Sequence, residues 1–177
     1  MNHKRCKILN QKLKALGFST WFDEERMHGN IHEQMVSGID SARVVLVCIT
    51  ERYVDKVASP NANDNCKLEF NYATRTKTSS RMVPVVMEAT MRDSSRWKGN
   101  VGMVLGGHLY ADMCSMSRWN LAPTDEQVAS LAAMITKSMS IAAEAESKQG
   151  YLGHPTPQIT SRSSLWNGGH SNPGLSA

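Results

Sequence analysis

Val44-Val45-Leu46-Val47-Cys48-Ile49 is the stretch of the sequence that decides the fold class. Its residues are all apolar and largely β-branched, which predicts a strand that is covered on both faces. Strands of this kind occur in parallel sheets with helices on each side. A second apolar run, at residues 82–87, predicts another strand of the same sheet. Pro84 within this run lacks a backbone donor, so it favours an edge or a strand end.

Four segments have the apolar spacing of amphipathic helices, with apolar residues three and four positions apart. Each segment also has a start or stop signal that is typical of helix ends. They are residues 4–16 ending at Gly17, a helix begun by Asn30 with Glu33 in a capping box, residues 65–75 capped by Asp64, and a closing helix begun by the capping box of Thr124 and Gln127.

Two shorter segments predict further strands. Residues 18–22 are rich in aromatic and hydroxyl side chains, and residues 108–113 follow a long stretch that contains several glycines. Helices and strands then alternate along the chain, which predicts an α/β domain with a doubly wound parallel sheet. Ligand sites in such sheets lie at the carboxyl ends of the strands. The informative loops are those after Phe22, Ile49, Met87 and Met113.

The length of 177 residues predicts one domain followed by a tail. We place the domain at residues 1–146. Residues 147–177 are rich in glycine, serine and proline and contain no acid, so we expect a disordered tail. No apolar run is long enough to span a bilayer, and the first residues lack the apolar stretch of a secretion signal. These features predict a cytoplasmic protein.

The net charge of +4 and the pI of about 8.9 are too mild for a dedicated nucleic-acid binder. We therefore predict no nucleic-acid partner. The positive charges cluster in the first helix, where they favour a solvated face over a contact with phosphates or acidic partners. These charges belong to Lys4, Arg5, Lys7, Lys12 and Lys14.

The cysteines and histidines have none of the spacings that are typical of metal ligands. We predict reduced thiols, three of them buried, and neither a metal site nor a cofactor. Motifs of other doubly wound families are absent as well, since the sequence has no G-x-G-x-x-G after the first strand, no G-K-S/T and no G-x-S-x-G. The central strand runs into Thr50-Glu51, so it lacks the phosphoryl-accepting aspartate of a receiver domain.

Three segments in order along the chain carry a resemblance to a known family. They are Thr20-Trp21-Phe22-Asp23-Glu24-Glu25-Arg26-Met27-His28-Gly29-Asn30-Ile31, Gly38-Ile39-Asp40-Ser41-Ala42-Arg43 leading into Val44 to Thr50, and Asn65-Cys66-Lys67-Leu68-Glu69-Phe70. Through these segments residues 3–114 resemble a TIR domain. In that family they form the second strand with the BB loop, a helix with the central strand, and a helix that carries a functional glutamate.

The resemblance implies a flavodoxin-like doubly wound parallel sheet, which is the TIR fold. It also implies that the domain is truncated at its N-terminus and lacks the first β-strand, because the sequence begins at the helix that follows this strand. Neighbouring strands lie about 4.8 Å apart, so strands on either side of a missing one could not hydrogen bond. Such a sheet would have to re-pair or gain a strand from elsewhere.

Association is the first activity that the resemblance implies. TIR domains bind other TIR domains in signal transduction, largely through the BB loop. In this sequence the loop contains Met27, Gly29, Asn30 and Ile31. Apolar residues in a surface loop that contains glycine are typical of a partner contact. The expected partners are therefore other TIR domains, of the same or a different kind.

Cleavage of NAD+ to nicotinamide and ADP-ribose products is the alternative, with NAD+ as the substrate. The resemblance puts Glu69 at the catalytic glutamate, four residues after Asn65, which stands where the family usually has Trp. Trp21, Phe22 and Ile31 are the implied substrate contacts, and a core position is the alternative for Trp21. Helical spacing places Glu69 beside the apolar stripe, so its carboxylate can face a cleft and stabilise an oxocarbenium-like ribose.

Overall fold

The computed structural model describes residues 2–22, 31–114 and 122–150. Helices and strands alternate along most of this length. They are α1 (Asn2–Ala15), α2 (Ile31–Ser41), β1 (Val45–Ile49), α3 (Glu51–Ala58), α4 (Asn65–Lys77), β2 (Met82–Val86), α5 (Gly99–Leu105), β3 (Ala111–Asp112) and α6 (Asp125–Gly150), with short 3-10 turns at Ser79–Arg81, Ala89–Arg92 and Ser94–Arg96.

The described strands form one parallel sheet in the order β1-β2-β3. β1 and β2 pair along their whole length, from Val45 beside Met82 to Ile49 beside Val86. β3 is much shorter than the strand predicted at residues 108–113 and pairs only at Val85 and Val86. The predicted α/β class and parallel sheet are confirmed.

Helices cover both faces of this sheet, as expected for a doubly wound fold. Alternate residues of β1 point to opposite faces, so Val47 and Ile49 join one core cluster while Leu46 and Cys48 pack against the other. The helix residues of the first cluster are Ile39, Val54, Val57, Phe70, Ala73, Val101 and Leu105. Those of the second cluster are Leu9 and Leu13 of α1 with Val128, Leu131 and Ile135 of α6.

Pro84 lies in the middle of the central described strand, so the prediction of an edge or strand end is wrong. The backbone amide of Met87 donates to Ile49 on the β1 side. Because amides alternate in direction along a strand, the ring nitrogen of Pro84 faces the β3 side. β3 begins to pair only at Val85, so the missing donor of Pro84 has no described acceptor opposite it.

The segment at residues 18–22 is not a strand, contrary to the sequence-based prediction. Gly17 ends α1 with a φ of +89°, as predicted, and the amide of Phe18 donates back to Leu13. The side chain of Phe18 then packs against the cluster of α1 and α6. Phe18 thus packs onto the core directly after the end of α1, and the segment forms no strand.

The predicted helix caps are confirmed wherever the structure describes them. The Asp64 carboxylate accepts from the amide of Cys66 at 2.9 Å, which begins α4. Thr124 and Gln127 form the reciprocal capping box of α6, with distances of 2.9 and 3.2 Å. The box of Asn30 with Glu33 falls partly outside the described residues.

Two helices were not predicted, α3 and α5. Each is only about two turns long, so it has too few apolar residues for their spacing to distinguish a helix from a loop. α3 begins at Thr50, whose hydroxyl accepts from the amide of Tyr53 at 3.0 Å. α5 contains two glycines, which are poor helix formers. None of the helices within residues 2–22, 31–114 and 122–150 combines the length and hydropathy needed to cross a membrane.

Candidate functional site

The carboxyl ends of β2 and β3, where a doubly wound sheet usually binds ligands, are covered by Arg5 of α1. Its guanidinium donates to the backbone oxygens of Met87 and Met113, which follow directly after the two strands. The Arg5 side chain is only 9% exposed. The prediction of a solvated basic face is therefore wrong for this residue, because its fork of donors satisfies two buried carbonyls.

Asn2 and Glu88 extend this cover across the strand ends. The amide of Asn2 donates to one carboxylate oxygen of Glu88 at 2.6 Å. The other oxygen accepts from the backbone amide of Glu51 at 2.8 Å, the first residue of α3. Glu88 thereby joins the starts of α1 and α3, and negative charge at a helix start is favourable. Side chains of the protein itself therefore cover the ends of β2 and β3.

Glu69 lies elsewhere, on the side of α4 that faces α2. The two helices run side by side in the same direction, tied by His32 to Asn65 at 3.2 Å and by Tyr72 to Asp40 at 2.9 Å. Glu69 lies four residues after Asn65 and three before Tyr72 on α4, so it is on the same side of the helix as both. Its side chain is half-buried.

The charge of Glu69 contributes to the raised pKa of three titratable side chains. The pKa of Tyr53 is raised well above its ordinary value, first by burial and then by the charge of Glu69. Burial likewise raises the pKa of Cys66, and the carboxylates of Asp64 and Glu69 add to this. For Cys48, a hydrogen bond with Cys6 is the largest cause of a raised pKa, and Glu69 contributes again.

No sequence pattern assigns Cys48, Tyr53 or Cys66 to a site. The Thr50 cap was the available signal for Tyr53, because a helix begun at Thr50 brings Tyr53 into its first turn. The prediction of three buried cysteines is also wrong, since only Cys114 is buried and the other three thiols are half-buried and free. These thiols lie at the surface of the core clusters instead of inside them.

The implied substrate contacts are only partly described. The Trp21 ring packs against α2 at Gly38, where an added Cβ would lie 2.6 Å from Cδ2 of the ring. Phe22 contacts His3, with ring centroids 5.7 Å apart. Ile31 begins α2, but its side chain and the loop residues Met27, Gly29 and Asn30 lie outside what the structure describes.

Two open grooves are found on the described surface. One, of about 590 Å³, follows α2, and the other, of about 540 Å³, lies at α3 and carries charges of both signs. Glu69 lines neither of them. The first is formed by His32, Glu33, Val36, Ser37, Asp40 and Ser41, and the second by Glu51, Arg52, Asp55, Lys56, Ser59 and Glu88.

A family model for the TIR domain matches residues 2–129 of this chain, well over half of its length. The chain belongs to the TIR family. This membership agrees with the parallel sheet and its two helical layers. Neither the curated proteins nor the solved structures contain a match to this TIR domain. No cluster of three or more metal-binding side chains occurs within the described part of the TIR domain.

Proposed function

We propose that this TIR domain is a signalling module that acts by assembly with other TIR domains, through a surface formed by the BB loop and the adjoining α2. The observation that carries the proposal is a pair of exposed apolar side chains, Val36 of α2 and Leu68 of α4, which are 39% and 38% exposed. Each lies one turn beyond the tie between His32 and Asn65, so the two are level with each other.

Val36 also lines the groove along α2, which begins directly after the BB loop. An apolar patch rimmed by polar side chains is typical of a protein interaction site. Glu33, Ser37 and Asp40 supply such a rim. The BB loop precedes this groove directly in the sequence, because α2 begins at Ile31.

The test is light scattering across a dilution series of the purified chain. We expect the wild-type average mass to rise with concentration above that of the monomer. The double variant Val36→Asp/Leu68→Asp and the loop variant Ile31→Asp should remain monomeric, because each places a charge in an apolar contact that must be desolvated. A tenfold or greater weakening of assembly is the expected size of the effect.

Met103→Asp is the matched control, because Met103 is also apolar and is 80% exposed, but it lies on α5. This control should assemble like the wild type. A wild-type protein that is monomeric at every concentration would contradict the proposal. Equal loss of assembly in the control would show that the effect is not specific to α2 and α4.

NAD+ cleavage by Glu69 is the second candidate, favoured by the half-buried placement of this carboxylate on α4. A carboxylate with little water around it interacts strongly with the positive charge that develops on ribose as nicotinamide leaves. The fact that Glu69 lines neither described groove makes assembly the first candidate.

Incubation of the chain with NAD+ tests this candidate. We expect nicotinamide release that Glu69→Gln lowers at least a hundredfold, since the variant keeps the shape and removes the charge. Glu126→Gln, an exposed change on α6, is the control and should keep full activity. Failure of the wild type to release nicotinamide at high protein concentration would exclude catalysis by this chain alone.

A further inference from the structure

The side chains of Lys56 on α3 and Cys66 on α4 lie next to each other. The Lys56 amine donates a weak hydrogen bond to the thiol, with Nζ and Sγ 4.0 Å apart. Cys66 is half-buried, and the Lys56 side chain is 42% exposed. Both helices belong to the layer that covers one face of the sheet. The fold thus brings together an amine and a thiol that are ten residues apart in the chain.

Asp64 positions both of these groups. One oxygen of its carboxylate accepts from the backbone amide of Cys66 at 2.9 Å, which caps α4. The other oxygen lies 3.6 Å from Nζ of Lys56 and forms an ion pair with it. Because the two oxygens bind different partners, Asp64 holds the amine beside the first turn of α4, where the thiol lies.

The open groove at α3 gives solvent access to this pair. Lys56 and Ser59 both line the groove, which has a volume of about 540 Å³. Lys67, directly after Cys66, donates instead to the backbone oxygen of Ser59. Within the described part of the chain, Lys56 is therefore the lysine whose amine contacts the Cys66 thiol.

We propose that Cys66 and Lys56 form an acyl relay, in which Cys66 takes an acyl group from a small thioester and passes it to Lys56. In the first step the Cys66 thiolate attacks the carbonyl carbon of the thioester, the donor's C–S bond breaks, and the donor thiolate leaves and takes up a proton. In the second step the neutral amine of Lys56 attacks the same carbon, its bond to Cys66 breaks, and the amine proton passes to the Cys66 sulfur. The products are an amide on Lys56, the donor thiol and the regenerated Cys66 thiol.

The short distance between Nζ and Sγ favours the second step. An acyl carbon bonded to Sγ would lie close to Nζ, and two groups held together react as if one were present at very high concentration. Attack requires a separation of about 3–3.5 Å, which rotation about the flexible stem of Lys56 can supply. The acyl group should therefore not accumulate on Cys66.

Formation of the Cys66 thiolate limits the first step. Burial raises the pKa of the Cys66 thiol, and the charge of Lys56 opposes this rise. Only the thiolate is nucleophilic, and its fraction grows about tenfold with each pH unit below the pKa. We therefore expect acylation of Lys56 to become about tenfold faster between pH 7 and pH 8.

Acylation would remove the positive charge of Lys56. The amide could no longer form the ion pair with Asp64, and the groove at α3 would gain net negative charge. This modification is separate from assembly through α2 and from NAD+ cleavage by Glu69, so each of these proposals can fail without the others.

The experiment incubates the reduced full chain with acetyl-coenzyme A at pH 8 and follows each lysine by peptide mass spectrometry. Lys98 is the internal reference, because it also forms an ion pair with an aspartate, Asp55, at 3.7 Å. Its side chain is 72% exposed, and no thiol within the described residues contacts it. We expect Lys56 to be acetylated at least about tenfold faster than Lys98, although Lys56 is less exposed.

Cys66→Ser should lower the acetylation rate of Lys56 to that of Lys98. The control Cys6→Ser removes another half-buried thiol and should leave the rate unchanged. N-hydroxysuccinimide acetate reacts with amines directly, so it should modify Lys56 equally in the wild type and in Cys66→Ser. Acetylation of Lys56 no faster than of Lys98, an unchanged rate in Cys66→Ser, or an acetyl group that stays on Cys66 or moves to Lys67 would overturn the proposal.

Discussion

Replacement of Arg5 by methionine is expected to lower the free energy of unfolding by about 4 kcal/mol, because two buried carbonyls lose a charged donor. Hydrogen bonds to charged groups contribute roughly 1.5–3 kcal/mol each, and methionine fills similar space without replacing either bond. The carbonyls that lose their partner are those of Met87 and Met113, at the carboxyl ends of β2 and β3. In a domain of this size the loss corresponds to a fall of roughly 10 °C in the unfolding midpoint.

Urea titration monitored by circular dichroism would measure this change. Lys4→Met is the matched control, since Lys4 neighbours Arg5 but is exposed, and its effect should stay within about 0.5 kcal/mol. Arg5→Lys should fall between the two, because one ammonium cannot reproduce the planar fork. If Arg5→Met were as stable as Lys4→Met, Arg5 would not bind the strand ends in solution.

The variant Gly102→Ala should destabilise the domain by about 3 kcal/mol, although alanine is ordinarily the better helix former. A Cβ at this position of α5 would lie 1.8 Å from the backbone oxygen of Trp97. Trp97 cannot easily yield, since its side chain is 3% exposed and its indole nitrogen donates to Met91 at 2.8 Å. The added methyl group must therefore displace either α5 or a buried tryptophan.

The clash reverses the direction in which the free energy of unfolding should change. Without the clash, alanine should stabilise α5 by up to about 1 kcal/mol, which is the opposite direction. Gly107→Ala is the control, because nothing lies within 4 Å of a Cβ built there, and it should be nearly neutral. Thermal unfolding followed by tryptophan fluorescence would report both stability and the surroundings of Trp97. A stabilised Gly102→Ala protein would contradict the close contact.

Hydrogen bonds at the carboxyl ends of β2 and β3 limit where a ligand can bind to the sheet. Arg5, Asn2 and Glu88 cover the ends of β2 and β3 with internal hydrogen bonds. A small ligand at these strand ends would have to displace those bonds, and Glu69 lies elsewhere, on α4. The proposals for assembly and for NAD+ cleavage therefore depend on the side of the domain that α2 and α4 share.

Sequence patterns predicted well those features that depend on neighbouring residues. The buried strands β1 and β2 followed from continuous apolar runs, and the ends of α1, α4 and α6 followed from Gly17, Asp64 and the capping box at Thr124. Patterns failed for residues 18–22, where a short aromatic segment could form a strand or anchor a turn. Only its packing against α1 and α2 distinguishes the two.

The candidate site was predicted to a smaller extent. Resemblance to the TIR family pointed to Glu69, but no local pattern indicated that its charge would raise the pKa of Cys48 and Tyr53. Pro84 is a similar case, because its effect depends on where β3 begins to pair and not on its own strand. Contacts between residues far apart in the chain leave no periodic signal in either segment.

The sequence by itself therefore determined the α/β class, the parallel sheet, most helix ends and the family, since these depend on apolar periodicity, capping residues and ordered motifs. Only the tertiary structure decided that Arg5 is buried and that its guanidinium binds the carbonyls of Met87 and Met113. The physical reason is that burial of a charge depends on which groups the fold places opposite it. A basic residue on an amphipathic helix has the same local pattern whether water or two strand ends lie before it.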